Sequence, residues 1–266
     1  MKKKTDIVFI VLVYRNYNDL KDLYISLTKN VKARFELVVV DAFFSNETSK
    51  KIIELSEELS CFYLFSQNGG YGYGNNRGLE FADKMFDYKY ICICNPDTVL
   101  KTEISIEQFE NEVCIAPRII TARGKNQNPY WAYENSLSER LIYQGYKKER
   151  KMCTYFGVIL NKLLKGLFLV ENKYGNKKQI YACHGSFFFL NASFIKNHLP
   201  LFDERMFLFY EEAYLARVLK NNGDKIKYDR NIVIYHKEDG SMNIAQIKEY
   251  PHLKDSYILY YERYRQ

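Results

Sequence analysis

The sequence predicts a single α/β domain with a mostly parallel central sheet flanked by helices. Its first hundred residues alternate between continuous apolar runs and amphipathic segments. Such runs are typical of strands buried on both faces, and their alternation with helices indicates parallel pairing. Polar residues follow three of the runs directly. Because open parallel sheets bind ligands at the carboxyl ends of their strands, these residues mark the expected site.

The first half of the chain is predicted to contain four strands and three helices. The strands are residues 6–14, 35–42, 61–66 and 88–94, and the helices are residues 17–30, 47–59 and 75–86. The first, second and fourth strands are followed by or end on polar groups, which are Tyr14-Arg15-Asn16, Asp41 and Asn95-Pro96-Asp97. Parallel strands would bring all three groups to one edge of the sheet.

The second half of the chain is less regular, above all over residues 121–180. The apolar stretch at residues 155–170 is predicted to be a helix that covers the core. The further predicted elements are a strand and helix start at 185–195, a helix at 207–223 and a strand at 231–236 that ends on His236. Residues 250–266 form a basic, tyrosine-rich tail, for which a helix packed on the domain is preferred over contact with a membrane surface.

The composition favours a folded protein of a reducing cytoplasm. The 266 residues are 47% apolar, and no linker or internal repeat divides them, which predicts one domain over residues 1–266. No apolar run approaches the roughly 18 to 20 residues of a membrane span, so neither a secretion signal nor a transmembrane helix is expected. The six cysteines lack the spacing of zinc or disulfide scaffolds. The net charge of +7 favours an anionic partner such as a nucleotide, a nucleic acid or an acidic membrane.

A glycine-rich segment, QNGGYGYGNNRGL, occupies residues 67–79 between a strand and a helix. Glycines let a backbone approach a ligand closely, and a helix N-terminus favours an anion, so a nucleotide diphosphate suits this segment. Its spacing matches neither the dinucleotide fingerprint nor a phosphate-binding P-loop. A generic glycine-rich loop is the competing interpretation.

Asp97 is a candidate metal ligand because hard divalent cations take carboxylate oxygens and leave positions for substrate phosphates. Pro96 stiffens the backbone beside it and restricts Asn95 to an extended conformation. The competing interpretation of a single aspartate after a strand is a turn or helix cap.

Glu211 and Glu212 begin a predicted helix, where the helix dipole favours negative charge without any function. The apolar positions Leu215, Val218 and Leu219 place Glu211 near the buried stripe and turn Glu212 towards one edge, from which a carboxylate could reach a cleft. His184 and His236 are lone histidines, for which a structural role is the more frequent interpretation.

Taken in order, seven segments resemble the inverting glycosyltransferases of family 2, which have the nucleotide-sugar-binding GT-A fold. The segments are VYRNYNDL, VVVDAFFSNETS, NGGYGYGNNRGL, ICNPDTVL, GSFFFLNASFI, FDERMFLFYEEAYLARVLKNNG and HKEDGS, and the likeness covers roughly residues 6–241. The rhamnosyltransferase-like branch that builds bacterial capsular and other cell-surface polysaccharides is the most similar. The resemblance implies a nucleotide-binding half at residues 1–100, an acceptor-binding and catalytic half at 101–240 and a helical tail at 241–266.

The resemblance also implies roles for individual residues. The donor nucleotide would be bound by Tyr14, Asn16, Asp41, Asn68, Gly69, Asn75, Asn76 and Asn95. Asp97, with His236 as a further ligand, would hold Mn²⁺ or Mg²⁺ on the donor diphosphate. Glu212 would be the general base, with Glu211 as the lesser candidate, and His184 and Gly185 would lie on the acceptor side.

The sequence departs from the family pattern at two places. The family usually has Glu-Asp followed two residues later by Asp, whereas Glu211-Glu212-Ala213-Tyr214 stands here. A glutamate base reaches about one methylene further than an aspartate base. In the second loop, Ala42-Phe43-Phe44 replaces the usual asparagine and small residues, which leaves the contacts to the base open.

The resemblance predicts transfer of a hexose or deoxyhexose from a nucleotide diphosphate donor to a lipid-linked or oligosaccharide acceptor. Rhamnose from a dTDP donor and glucose, galactose or an N-acetylhexosamine from a UDP donor all remain open. A polyprenyl-diphosphate acceptor would place the protein in the cytoplasm, in peripheral contact with the anionic inner face of the membrane; no nucleic acid partner is expected. The alternatives are a sugar-nucleotide nucleotidyltransferase and a non-catalytic nucleotide-sugar or glycan-binding module.

Overall fold

One nine-stranded sheet organises the chain, of which the computed structural model describes residues 1–173, 177–237 and 249–265. The strands are β1 (Lys3–Lys4), β2 (Ile7–Val13), β3 (Phe35–Ala42), β4 (Phe62–Ser66), β5 (Phe86–Asp87), β6 (Tyr90–Cys94), β7 (Thr98–Leu100), β8 (Cys114–Thr121), β9 (Lys177–Ile180), β10 (Phe187–Asn191) and β11 (Ile226–His236). The helices are α1 (Leu20–Asn30), α2 (Asn46–Glu58), α3 (Tyr71–Met85), α4 (Ser136–Lys147), α5 (Lys151–Glu171), α6 (Ala192–Asn197), α7 (Glu211–Asn221) and α8 (Glu249–Tyr260). A 3-10 turn covers Ile106–Phe109, and a π-helical turn, Tyr261–Arg265, follows α8.

The strand order of the main sheet is β4-β3-β2-β6-β10-β8-β11-β7, with β9 paired to the first part of β11. Strands β4, β3, β2 and β6 run parallel, as the sequence predicts, and β10 is antiparallel to both of its neighbours. The end of β6 therefore meets the start of β10, where Cys94 pairs with Phe187. The ends of β2, β3, β6 and β11 and the start of β10 all lie at one edge of the sheet.

Both faces of the sheet are covered, which explains why its strands are continuously apolar. In β2 the side chains of Val8 and Ile10 enter one core, whereas those of Ile7, Phe9 and Val11 enter the other. Helices α1 and α2 cover the second core, and α3, α4, α6, α7 and α8 cover the first. Alternate residues of a strand point to opposite faces, so a strand buried on both sides needs no polar positions.

The predicted helix at residues 75–86 begins earlier in the structure, at Tyr71, so most of the glycine-rich segment is helical. Gly70 (φ +100°) ends the loop, and the glycines at positions 72, 74 and 78 are buried inside the helix. Glycine has a low intrinsic helix propensity, but tertiary packing on the sheet outweighs it here. A side chain at Gly78 would place its Cβ 2.5 Å from Ile10 Cγ2, so the small residues let α3 lie close to the sheet.

Helix α5 forms as predicted, but it covers the core only in part, through Phe168, Val158 and Leu169. It is long and apolar enough to cross a membrane, and only 11% of its most apolar 18 residues is buried inside the protein. The prediction of no membrane-spanning helix depends on the absence of an unbroken apolar run, and Asn161, Lys162 and Lys165 interrupt the run here. A helix of mean hydropathy 1.4 with few charges satisfies the same criterion without such a run.

The C-terminal tail packs on the domain, as the preferred interpretation predicts. Tyr257 and Tyr260 of α8 are fully buried, and both donate hydrogen bonds to Glu139 of α4, through the Glu139 carbonyl and carboxylate respectively. Arg265 also donates to the Glu139 carboxylate. A buried carboxylate needs such partners, since an unpaired one is costly. The tyrosines of the tail are therefore largely engaged inside the protein.

Candidate functional site

The edge of the sheet beyond β2 and β3 forms an aromatic pocket with one buried carboxylate. Asp41, at the end of β3, is 1% exposed and accepts a hydrogen bond of 2.9 Å from the Tyr63 hydroxyl. Its other oxygen, Oδ1, is buried without a partner among the described residues. The Tyr14 ring packs edge-on against Phe44 at 5.7 Å, and the Arg15 guanidinium lies 4.2 Å above the Phe44 ring. A planar group with an N–H donor would complement this arrangement.

Four further residues predicted to bind the donor follow β2, β4 and β6 at the same edge of the sheet. Asn16 is buried and donates to Asp19 at the start of α1, so its amide is engaged in holding the loop after β2. Asn68 and Gly69 follow β4, where the exposed Asn68 accepts a weak hydrogen bond of 3.4 Å from the Gly70 backbone. Asn95 is half-buried at the end of β6, and its backbone N–H donates to Ser186 at 2.8 Å.

Asn75 and Asn76 lie within α3 and not in a loop. Both are fully buried within α3. Asn76 donates to the Phe202 carbonyl and accepts from the Phe202 N–H, each at 2.9 Å, and it also donates to Glu204. Asn75 donates back to the Tyr71 carbonyl. Asn76 is thus engaged in the packing of α3, whereas Asn75 Oδ1 is buried without a partner among the described residues, and donor binding by either residue stays a prediction.

The glycine-rich segment instead contacts the chain that leads into α7. The Tyr71 N–H donates to the Phe207 carbonyl at 2.8 Å. A Cβ at Gly70 would lie 2.1 Å from that same carbonyl oxygen, so no other residue permits this approach. Two consecutive non-glycine residues, Phe209 and Tyr210, then adopt positive φ angles of 74° and 68° immediately before the helix. Such conformations cost energy and persist only where surrounding contacts impose them.

Asp97 and His236 meet at the centre of the same edge. His236 Nε2 lies 3.2 Å from Asp97 Oδ1, and His236 Nδ1 lies 2.7 Å from Gln127 Oε1. Because an amide oxygen only accepts, Nδ1 carries a hydrogen, which leaves the Nε2 lone pair facing the carboxylate in the neutral ring. A proton or a cation must lie between these two groups to make the contact favourable. Asp97 Oδ2 is buried and also lacks a partner among the described residues.

These two side chains fit a divalent cation that a substrate helps to bind. Adjacent ligands of an octahedral ion with bonds of about 2.1 Å lie about 3 Å apart, which is close to the separation of Nε2 and Oδ1. Across the residues described, no three His, Cys, Asp or Glu side chains cluster to form a complete site. Mg²⁺ and similar ions are often held by one or two carboxylates plus substrate phosphates, which is the arrangement available here.

The two glutamates at the start of α7 have unequal surroundings. Glu211 is 3% exposed, and its Oε1 has no partner within the described part of the chain. Glu212 is half-buried and accepts a hydrogen bond of 3.2 Å from the Gly185 N–H. Burial raises the pKa of Glu211 well above its usual value, and the negative charge of Glu212 adds to this effect. Burial also raises the pKa of Glu212, although backbone N–H groups partly offset it.

Gly185 connects this carboxylate pair to the rest of the site. Its carbonyl accepts a 2.6 Å hydrogen bond from the Tyr71 hydroxyl, while its N–H donates to Glu212. A Cβ at Gly185 would lie 2.8 Å from Glu212 Oε1, so any side chain there would displace the Glu212 carboxyl group. The neighbouring His184 has its ring centre 6.0 Å from that of His236. The predicted acceptor residues thus lie between the predicted base and the predicted metal ligands.

His184 is held as a neutral imidazole. Burial, the nearby His236 and the charge of Lys165 lower the pKa of His184 to about 3. The Ser186 N–H donates to Nδ1 at 3.2 Å, so the ring hydrogen is on Nε2. A neutral histidine that presents an N–H suits contact with an uncharged hydroxyl or a phosphate oxygen.

The sequence analysis missed several residues of this site. Lys165, on the inner face of α5, donates to the Gln127 carbonyl at 2.8 Å, and burial lowers its pKa to about 8. Gln127 contributes through its contact with His236, which is distant in sequence, and Ser186 contributes through its contact with His184. No local sequence pattern predicts these contacts. Tyr71 lies within the glycine-rich segment, so the aromatic residues of that segment were the one available signal.

Comparison with known proteins points to one fold. No family model matches the chain. The chain is 25% identical over 221 residues to the low-salt glycan biosynthesis hexosyltransferase Agl10 of Haloferax volcanii, with 80% of this chain and 62% of that protein covered. The chain thus spans about three fifths of the length of this curated relative.

Two solved structures share the architecture. S. aureus TarS 1–349 in complex with UDP superposes with a TM-score of 0.55 at 14% identity, covering 87% of this chain and 60% of that one. GalNAc-T7 with UDP, GalNAc and Mn²⁺ gives a TM-score of 0.60 at 13% identity, covering 88% and 44% respectively. The chain therefore has an α/β GT-A-like fold, with a central, mostly parallel sheet flanked by helices.

Proposed function

We propose that this chain is an inverting, metal-dependent glycosyltransferase that moves a hexose or deoxyhexose from a nucleotide diphosphate donor to an acceptor hydroxyl. The observation that carries the proposal is the chain of contacts from Asp97 through His236, His184 and Gly185 to Glu212 at the binding edge of the sheet. This chain of contacts supports a phosphate-metal site and a catalytic base that lie close together at that edge. The similarity to a hexosyltransferase supports the same reaction class.

The donor nucleotide is proposed to occupy the aromatic pocket. The unpartnered Asp41 oxygen would accept from an N–H of a pyrimidine base, while Tyr14 and Phe44 would contact its ring. UDP bound to TarS and to GalNAc-T7 supports a uridine donor. A dTDP donor carrying rhamnose presents the same N–H on its base and is the alternative within this proposal.

Transfer is proposed to occur in a single displacement. The acceptor oxygen forms a bond to the anomeric carbon as the bond from that carbon to the diphosphate oxygen breaks, and the diphosphate leaves with the electron pair. Glu212 takes the proton from the acceptor hydroxyl, and Gly185 orients Glu212 through its N–H. A bound Mn²⁺ or Mg²⁺ would neutralise the charge that develops on the leaving diphosphate, so no protein acid is required there. The anomeric configuration inverts.

The acceptor is proposed to be a growing glycan on a polyprenyl diphosphate, as in the assembly of capsular or other cell-surface polysaccharides. The reaction would then take place in the cytoplasm, at the inner face of the membrane. The net charge of +7 supports contact with anionic lipid, and the His184 Nε2–H group could donate to a phosphate oxygen.

Replacing each glutamate in turn tests the assignment of the base. We expect Glu212→Gln to lower kcat by about a hundredfold or more, because it removes the proton acceptor. Glu211→Gln should retain kcat to within about tenfold, since Glu211 is buried behind the cleft. The measurement is release of nucleotide diphosphate in the presence of acceptor, and the matched variant at the adjacent position is the control. Reversal of the two effects would show that Glu211 is the base.

Asp97→Ala tests the metal site without relying on turnover. UDP-N-acetylglucosamine with Mn²⁺ should raise the thermal midpoint of the wild type, since a ligand at about 100 times its Kd stabilises the folded state by about 2.7 kcal/mol. Asp97→Ala should abolish the part of this rise that depends on Mn²⁺, whereas Asp87→Ala, an exposed aspartate outside the cleft, should retain it. An undiminished Mn²⁺ effect in Asp97→Ala would remove Asp97 from the site.

Glu211→Gln should stabilise the protein at alkaline pH. The raised pKa means that folding favours protonated Glu211, so this stabilisation is complete below the unfolded pKa and is lost as pH rises through the folded pKa. Because glutamine cannot ionise, the Glu211→Gln variant does not lose stability in this way as pH rises. We expect the midpoint of Glu211→Gln to exceed that of the wild type by more at pH 8 than at pH 5.

The control for this measurement is Glu47→Gln on α2. Glu47 is exposed and pairs with Lys51, which lowers its pKa, so its replacement should produce no gain at alkaline pH. Parallel pH profiles for Glu211→Gln and the wild type would contradict the buried, proton-binding state of Glu211.

A further inference from the structure

Helix α5 presents a continuous apolar face to solvent. Its large apolar side chains that are more than half exposed are Met152, Tyr155, Phe156, Leu163, Leu167 and Val170. Steps of three and four residues connect Met152, Phe156, Leu163, Leu167 and Val170 through Ile159, which is the spacing of one helix face. This outer face of α5 runs about 27 Å along the helix axis, at 1.5 Å per residue.

The opposite face of α5 is fixed to the domain. Gly157 packs so closely on α4 that a Cβ there would lie 2.8 Å from the Ser138 carbonyl oxygen. The Ser138 hydroxyl in turn donates to the Gly157 carbonyl at 2.8 Å, and Phe168 is 3% exposed. A helix packed on the domain along one face is not surrounded by lipid. Its apolar face therefore suits binding to a membrane surface and not a membrane-spanning position.

The segment around the outer face of α5 is strongly basic. Residues 147–173 contain seven lysines and arginines against two glutamates. The basic residues are Lys147, Lys148, Arg150, Lys151, Lys162, Lys165 and Lys173. Lys151 and Lys162 lie beside the apolar stripe on the helical wheel and are exposed. An apolar stripe with lysines along one side is complementary to an anionic lipid surface, where the stripe enters the acyl boundary and the lysines meet the headgroups.

The same helix contributes to the candidate active site. Lys165 donates to the Gln127 carbonyl, and the Gln127 side chain contacts His236. A surface bound to the outer face of α5 would therefore lie one helix diameter from the cleft. If the acceptor is lipid-linked, a membrane bound at this face would hold the acceptor close to the cleft.

We propose that the outer face of α5 binds an anionic membrane, with the helix lying in the plane of the interface. Membrane binding itself does not depend on the proposed function. Only the advantage of a short distance between the membrane and the cleft rests on the proposed function. A second copy of the chain is the less favourable occupant. An antiparallel two-fold contact between outer faces would bring the lysines of the two copies to the same side, where like charges repel.

The test is flotation of the full chain with phosphatidylcholine vesicles that contain phosphatidylglycerol. We expect binding at about 0.1 M salt, where the Debye length is about 10 Å, and much weaker binding to vesicles of phosphatidylcholine alone. Leu163→Glu should reduce vesicle affinity by about tenfold or more, because it replaces an inserted leucine with a charge. Ile25→Glu, an equally exposed apolar residue on α1, should bind as the wild type does.

Each outcome decides the proposal. Thermal midpoints and UDP binding of both variants show whether they fold, and a second variant, Leu167→Glu, repeats the test if Leu163→Glu does not. Equal flotation of Leu163→Glu and the wild type would overturn the proposal, as would a concentration-dependent dimer that Leu163→Glu dissociates. Transfer to a soluble acceptor is measured separately, so loss of vesicle binding with intact transfer leaves the proposed chemistry standing.

Discussion

The placement of the two glutamates depends on the contact between the start of α3 and the chain that enters α7. Gly70 admits the Phe207 carbonyl, Asn76 hydrogen-bonds both backbone groups of Phe202, and the Tyr71 hydroxyl binds Gly185. Because α3 packs closely on the sheet, this contact fixes the start of α7 relative to the edge of the sheet. The strained backbone before α7 is compatible with such an imposed position.

Burial gives the carboxylates at this edge their chemical character. Asp41, Asp97 and Glu211 each keep one buried oxygen without a partner among the residues described. Buried polar groups are normally satisfied, and an unpartnered one calls for an explanation such as an ion, a water or a catalytic role. The Asp41 oxygen is proposed to bind the base and the Asp97 oxygen the metal, whereas the Glu211 oxygen belongs to a carboxyl group whose pKa is raised by burial. The local dielectric is low, so a ligand charge acts strongly on all of them.

The order of elements could be predicted because it follows from local patterns. Apolar runs indicated the parallel strands, and Asp41 and Asp97 followed from their positions at strand ends. The early start of α3 at Tyr71 could not be predicted, because glycines that serve packing and glycines that serve a ligand look alike in one sequence. The exposed face of α5 and the contacts of Gln127 and Lys165 depend on tertiary neighbours, which periodicity does not report.

The kinetics of Gly185→Ala test the central claim most directly, namely that the Gly185 backbone positions Glu212 as the base. The added methyl group would lie 2.8 Å from Glu212 Oε1, and the flexible end of that side chain can move without unfolding the protein. The account predicts a loss of about a hundredfold in kcat, with an unchanged thermal midpoint and donor KM. A folded Gly185→Ala variant with wild-type kcat would contradict it.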